Sequence, residues 1–391
     1  MHNTVLLVVV VLTAVSFDFT NGFHDTANAM ATSIATKALR PRIAVLLCGV
    51  LNFVGAFLSV KVAATIASGI VDQDVVTLPV VFAGLIGAIA WNVLTWFFGL
   101  PSSSSHALIG GVVGATAVAA GTHAVQGHNL VSKVIIPAVL SPIIAGLVAA
   151  LATFMAYRVA RPSEIPETKR TFRLGQLASA SLVSLAHGTN DAQKTMGVIT
   201  LALIADHRLG KDSDPPFWVI LICALAIASG TYIGGWRVIR TMGHRLTQVE
   251  PPQGFVAETA AAAVLLISTR NGVPLSTTHI TSGAVMGSGI GKRAADVRWG
   301  VAGRMVVAWI VTLPAAALVA ALIAAITKQG GNAPILIVAV VAAALLAGVW
   351  WISRRDAVTA DNVNDEGVYD ELEPAGAGVG APAVGGGSNR G

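Results

Sequence analysis

Apolar runs separated by short polar breaks fill the chain from about Thr4 to Trp351. Each run approaches the roughly 20 apolar residues that carry a helix across a bilayer, and no soluble domain fits between them. The first run has only His2 ahead of it in polar character and no small-residue cleavage pattern, so it reads as a retained span. Two interruptions break the pattern. "PSSSSH" at residues 101–106 and "PLSTTH" at residues 274–279 put a proline, a run of hydroxyls and an imidazole inside otherwise apolar sequence. Lipid does not solvate hydroxyls, so such backbone must line a wet cavity or be buried in protein.

The interruptions belong to a duplication. "GLPSSSSHALIGGVVG" (99–114) lies over "GVPLSTTHITSGAVMG" (272–287), pairing Pro101 with Pro274, Ser103 with Ser276, His106 with His279, and Gly110 and Gly114 with Gly283 and Gly287. Upstream of each, "NGFHDTANAMA" (21–31) lies over "HGTNDAQKTMG" (187–197), pairing Asp25 with Asp191. Two motifs in the same order define two homologous halves, 1–157 and 174–330, joined by a basic linker at 158–173 and followed by a terminal helix at 334–352.

Composition adds the membrane: 54% of the 391 residues are hydrophobic and 12% charged, with a mean hydropathy of +0.72. The net charge of +5 is spread over loops, which excludes a nucleic-acid footprint. Cys48 and Cys223 lie in apolar runs, so neither a disulfide framework nor a metal-ligand spacing is present in the sequence. The polar, Gly-rich stretch at 353–391 reads as a disordered tail.

Lys and Arg set the orientation. With the N-terminus outside, Lys37, Arg40, Arg42, the linker, Arg237, Arg240, Arg245, Lys292, Arg293, Arg298, Arg354 and Arg355 are cytoplasmic, while Lys133, Arg208, Lys211 and Lys328 are outside. That parity requires residues 77–120 to enter and leave by the outer face, and residues 255–291 by the cytoplasmic face. The expected fold is an all-α polytopic membrane protein with two inverted-topology repeats, broken helices and two re-entrant hairpins whose tips meet near the midplane.

At each tip a helix N-terminus with free N–H groups, flanked by hydroxyl donors, suits an anion. A serine before a helix ordinarily caps it, but four hydroxyl residues in a row exceed one cap. Asp25 and Asp191 are expected at breaks in their helices, where a carboxylate needs a partner. Lys194 and Lys61 are the structural choices for that partner, and cation or proton handling is the functional one. Asn28 and Asn190 offer carbonyl oxygens to a cation, and His24 can carry a proton. His106 and His279 read as satisfied helix-face histidines. Arg270 either compensates anion charge or locks its hairpin to Glu258.

These four motifs resemble the duplicated signatures of the inorganic phosphate transporter (PiT) family, over essentially residues 3 to 350. The resemblance implies secondary active uptake of inorganic phosphate by a non-enzymatic, multi-pass protein of the cell membrane, commonly a homodimer, with no cofactor. It implies phosphate bound by Asp25, Ser103, Ser104, Ser105, Asp191, Ser276, Thr277 and Thr278, and a coupling ion by His24, Asp25, Asn28, Asn190 and Asp191. Sodium-coupled members read Gly-Ala-Asn-Asp where this chain has Gly22, Phe23, His24 and Asp25. The change is similar to bacterial low-affinity permeases, which implies proton coupling and uptake of phosphate largely as a neutral complex with a divalent metal. The alternatives are sodium coupling, or a sulfate permease on the same scaffold. Sulfate lacks the proton that hydrogen phosphate can donate to a carboxylate. An intramembrane hydrolase using Ser104 or Ser105 with His106 is disfavoured, because adjacent residues in one helical turn do not form nucleophile–base geometry.

Overall fold

The computed structural model describes residues 3–160, 166–292, 297–328 and 331–365, and these are helical with no strand beyond two isolated bridges. In chain order the helices are α1 (Thr4–Ala35), α2 (Pro41–Gly55), α3 (Lys61–Gly69), α4 (Leu78–Phe97), α5 (Ser104–Ala120), α6 (Gly127–Leu130) and, after one π turn, α7 (Ile136–Ala160). The second half holds α8 (Pro166–Ala205), α9 (Phe217–Ile233), α10 (Trp236–Arg240), α11 (Pro251–Arg270), α12 (Thr277–Lys292) and α13 (Trp299–Thr327), and α14 (Ala333–Ser353) ends the set. Thr4–Ala35, Leu78–Phe97, Gly127–Val159, Trp299–Thr327 and Ala333–Ser353 are each long and apolar enough to cross a membrane. Phe217–Ile233 and Trp236–Arg245, bent by 60°, make another if taken as one span.

The breaks fall elsewhere than expected. Asp25 and Asp191 sit inside the continuous helices α1 and α8, and the breaks come instead after α2, at residues 56–60, and after α9, at residues 234–235. The glycines beside the aspartates serve packing. A Cβ on Gly22 would stand 2.3 Å from Ile227 O of α9, and one on Gly188 would stand 2.4 Å from Asn52 O of α2. Gly230 and Gly55 return the contact at 2.1 Å from Phe19 O and 2.4 Å from Leu185 O. Each long helix therefore crosses a neighbour from the other half at backbone distance, the small-residue contact that holds helices together where hydrophobicity supplies no drive.

The same exchange seats the two helix hairpins, α4–α5 and α11–α12. Cβ atoms on Gly110 and Gly114 of α5 would meet Leu313 O and Ala317 O of α13 at 2.4 and 2.1 Å. Those on Gly283 and Gly287 of α12 would meet Pro142 O and Gly146 O of α7 at 2.4 and 2.0 Å. Each hairpin turn is closed alike: Gly99 (φ 64°) and Gly272 (φ 68°) take the left-handed conformation that ends a helix. Leu100 N then donates to Thr95 O at 2.9 Å and Val273 N to Ser268 O at 3.0 Å. Pro101 and Pro274, two residues on, prevent either helix from resuming.

Both turns are anchored by a cation and a threonine from the other half. Arg237 Nη1 donates to Phe97 O at 2.9 Å and Thr241 Oγ1 to Gly99 O at 2.8 Å. Lys61 Nζ donates to Arg270 O at 3.2 Å and Thr65 Oγ1 to Gly272 O at 2.8 Å. Lys61 is thus an exposed helix-end cation and not a partner of the aspartates. Arg270 is exposed as well and makes no lock to Glu258, whose carboxylate is taken by other groups described below.

Loop contacts sort into two sets. Asn3 bonds to Asp206 and Asn332, and Lys211 pairs with Asp74 at 2.5 Å, where the hydrogen bond and charge of Asp74 hold the lysine above its usual range. The other set joins Tyr157 and Lys292 to Glu250, and Arg42 to Asp361. The tail expected to be disordered from residue 353 begins as a docked segment. Arg237 binds the carbonyls of Ser353 and Asp356, Arg240 those of Asn362 and Val363, His244 the side chain of Asn364, and Val363 is fully buried. Residues 366–391 lie outside the described residues, as do 161–165, so the expected linker is helix at both ends. The second hairpin spans 251–292, slightly more than the expected 255–291.

Candidate functional site

The N-termini of α5 and α12 meet where α1 and α8 carry their aspartates. The His106 and His279 rings are edge to face with centroids 4.7 Å apart, and Ser105 Oγ reaches Leu275 O at 3.4 Å. His279 also bonds Ala138 O at 3.1 Å and stacks on Trp309, so the two histidines join the tips and are held by their surroundings. Ser103 and Ser276 turn out to be caps: their hydroxyls accept from His106 N at 3.1 Å and His279 N at 3.3 Å. Of the next two hydroxyls on each tip, those of Thr277 and Thr278 face the aspartates, that of Ser105 meets Lys194, and that of Ser104 has no partner among the described residues.

On α1, His24 Nδ1 stands 2.6 Å from Asp25 Oδ1. The ring's other nitrogen lies 3.3 Å from Thr95 Oγ1 and 3.4 Å from Ser102 Oγ, so it is fixed by the first hairpin. One turn on, Asn28 Nδ2 donates to Thr278 Oγ1 at 2.9 Å, which ties α1 to the tip of the second hairpin, and Thr278 Oγ1 stands 3.5 Å from Asp25 Oδ1. Asn28 Oδ1 accepts from Thr281 at 3.2 Å.

On α8 the arrangement repeats with the hairpins exchanged. Asn190, in the place of His24, donates to Asp191 Oδ1 at 2.9 Å and to Leu275 O at 3.0 Å. Lys194, in the place of Asn28, donates to Ser105 Oγ of the first hairpin at 2.5 Å, to Asp191 Oδ1 at 2.5 Å and to Leu275 O at 2.8 Å. Thr277 Oγ1 completes the shell of Asp191 at 2.8 Å. His187 Nε2 approaches Asp191 Oδ2 at 3.1 Å without hydrogen-bond alignment, so both atoms keep free capacity. Asn190 Oδ1 and Ser104 Oγ are buried without a partner among the described residues as well.

One ligand atom from each of Asp25, His187 and Asp191 lies within 4.8 Å of the others, close enough for one cation to bridge. All these groups are buried; the most exposed, Asn28, shows 7% of its surface. A narrow cavity of about 10 Å³, room for about one water, adjoins the site and reaches from Asn28 and Thr281 to Glu258. Glu258 accepts from Thr32 and Ser33 of α1 at 2.6 Å each, and from Ser179 at 2.5 Å and Gln176 at 3.3 Å on α8.

The geometry brings His24, Asp25, Asn28, Asn190, Asp191, Ser105, Thr277 and Thr278 together, makes Lys194 the expected structural partner of Asp191, and adds His187, Thr95 and Ser102. His187 and Lys194 were visible in the alignment of the halves, opposite Asn21 and Asn28. Thr95 and Ser102 reach the site only through the hairpin turn.

The profile of the phosphate transporter family matches residues 21–320. A protein of Mycobacterium tuberculosis called "Probable low-affinity inorganic phosphate transporter" is 57% identical over 361 residues, 92% of this chain and 87% of that protein. A Bacillus subtilis protein of the same name is 43% identical over 320 residues, 81% of this chain and 96% of that protein. Among solved structures, one titled "The sodium-dependent phosphate transporter" superposes with a TM-score of 0.75 at 23% identity, over 83% of this chain and 99% of that chain.

Proposed function

The chain belongs to the phosphate transporter family, and from that premise we propose that it is a symporter that accumulates inorganic phosphate, free or as a neutral divalent-metal complex, using the proton gradient. It is a multi-pass membrane protein and not an enzyme. The observation that carries the reading is the meeting of two hairpin tips from opposite halves at one buried pair of aspartates.

A tetrahedral oxyanion needs donors directed inward, and the tips supply them. Helix N-termini at Ser104 and Thr277 present backbone N–H groups to a shared centre, with the hydroxyls of Ser104, Ser105, Thr277 and Thr278 and the Lys194 ammonium beside them. The ammonium offsets anion charge at a depth where an uncompensated charge is costly. The acidic side chains then select an oxyanion that still carries a proton, since hydrogen phosphate donates to a carboxylate and sulfate does not.

Proton coupling follows from how the aspartates are already occupied. Lys194 stands 2.5 Å from Asp191, in the place of a bound cation, and His24 stands 2.6 Å from Asp25, where one proton can be shared between imidazole and carboxylate. Of the Asp191 oxygens, Oδ1 is thus taken and Oδ2, beside His187 Nε2, is the one left to a sodium ion. The exchanged contacts of the two halves support inverted repeats with hairpins entering from opposite faces. The set with Asn3, Asp74 and Lys211 is then external, and the set with Arg42, Glu250 and the docked tail cytoplasmic. Burial of the whole site corresponds to an occluded state, with the Glu258 cavity on its cytoplasmic side.

In proteoliposomes, an imposed acid-outside pH gradient is expected to drive accumulation of labelled phosphate, and an imposed sodium gradient at equal pH is expected to drive none. Uptake that responds to sodium alone would overturn proton coupling.

A further inference from the structure

Helix α1 carries a second buried carboxylate that the phosphate site does not use. Asp18 has no exposed surface, and neither of its oxygens has a hydrogen-bond partner among the described residues. It precedes Asp25 by seven residues, two turns and about 10 Å along the helix, toward the Thr4 end. Asn21 on the same helix and Thr195 on α8 are the polar side chains that face it, and Asn21 Oδ1 and Thr195 Oγ1 also lack partners. The charged groups within reach are Asp191 and Lys194 of α8, which are engaged with each other at 2.5 Å. From α9 the titratable neighbour is Cys223.

A structural carboxylate in such a setting is held by donors, as Glu258 is by four. Around Asp18 the side chains nearest to donating are those of Asn21 and Thr195, neither in hydrogen-bond geometry, and the position aligned with it in the second half is Ser184, whose hydroxyl is satisfied by Ala180 O within its own helix. An ionised carboxylate deep in protein is strongly disfavoured unless donors or a cation engage it, and the nearest cation, Lys194, is committed to Asp191, whereas a protonated carboxyl needs a single acceptor. Two acceptors, on Asn21 and Thr195, stand ready for that proton.

Resting on the proton-driven reading above, we propose that Asp18 is a second proton-binding site of the transporter, loaded from the outer face before the His24–Asp25 pair. In each cycle its carboxylate binds one proton outside, carries it inward with phosphate, and releases it to cytoplasmic water, which regenerates the carboxylate. Each coupled proton multiplies the limiting accumulation ratio about tenfold per pH unit of gradient.

The test compares wild type, Asp18→Asn and Asp18→Glu in proteoliposomes with the membrane potential clamped at zero. Two readouts are taken: accumulation of labelled phosphate under a one-unit pH gradient, and exchange of labelled for internal phosphate without a gradient. The expected result is a limiting ratio about tenfold lower in Asp18→Asn than in wild type, with exchange persisting and with Asp18→Glu restoring the ratio. An infrared carbonyl band of a protonated buried carboxyl is expected in wild type and missing in Asp18→Asn. If the wild type itself ignores the pH gradient, proton coupling fails as a whole. If the wild type responds and Asp18→Asn reaches the same ratio, Asp18 is not a coupling site. Loss of exchange in Asp18→Asn protein that still purifies as a single folded species assigns Asp18 to structure and overturns the proposal.

Discussion

Asp191→Asn is expected to abolish phosphate uptake and to lower stability by about 3–5 kcal/mol, the usual cost of removing one partner from a buried ion pair. The change leaves the Lys194 ammonium, 2% exposed, with Ser105 Oγ and Leu275 O as its remaining acceptors. Lys194→Met is expected to cost less, because Asp191 keeps Thr277, Asn190 and the neighbouring His187. The double variant Asp191→Asn/Lys194→Met removes both charges at once, and replacement of a whole buried pair by apolar or neutral groups is often close to neutral. Thermal unfolding of the purified proteins in detergent should therefore show the double variant more stable than Asp191→Asn alone. Uptake should remain absent in both. Restored transport in the double variant would mean that the pair is structural.

Gly287→Val is expected to prevent the second hairpin from seating. The added Cβ would stand 2.0 Å from Gly146 O and 2.6 Å from its Cα, backbone atoms of α7 that have nowhere to go. Overpacking of a tight interior costs about 1–3 kcal/mol and sometimes more, and here it also displaces the tip that carries Thr277 and Thr278. The expected result is loss of uptake together with a lowered melting temperature. Gly303→Ala on α13, where no atom lies within 4 Å of the added carbon, is the control and should melt no lower than wild type. Normal uptake by Gly287→Val would contradict the seating of α12 on α7.

Much of this was legible in the chain. The glycines at 110, 114, 283 and 287, visible in the paired motifs, are the seats of the hairpins, and the threonines of the second hydroxyl run lie against the two aspartates. The misreadings have physical causes. Glycine beside a buried aspartate looks like a break, but Gly22 and Gly188 admit crossing helices at backbone distance and leave α1 and α8 intact. At Ser103 and Ser276 the sequence does not separate a cap from a ligand, because both draw on the same hydroxyl, which here accepts from a helix N–H. A lock between Arg270 and Glu258, one of two alternatives for Arg270, does not form, because the partners of Glu258 lie 79 to 226 positions away, a distance that no local pattern reveals. The tail looked unable to fold by composition alone, yet residues 354–365 borrow Arg237 and Arg240 from α10.

The central claim is that both tips contact one phosphate ion. It is tested most directly by placing Ser105→Cys and Thr278→Cys separately in a background lacking Cys48 and Cys223, and measuring how phosphate slows alkylation of each thiol in membranes. Protection of both positions at the same half-saturating phosphate concentration is the predicted result. Protection of one thiol alone, or of neither, would contradict it.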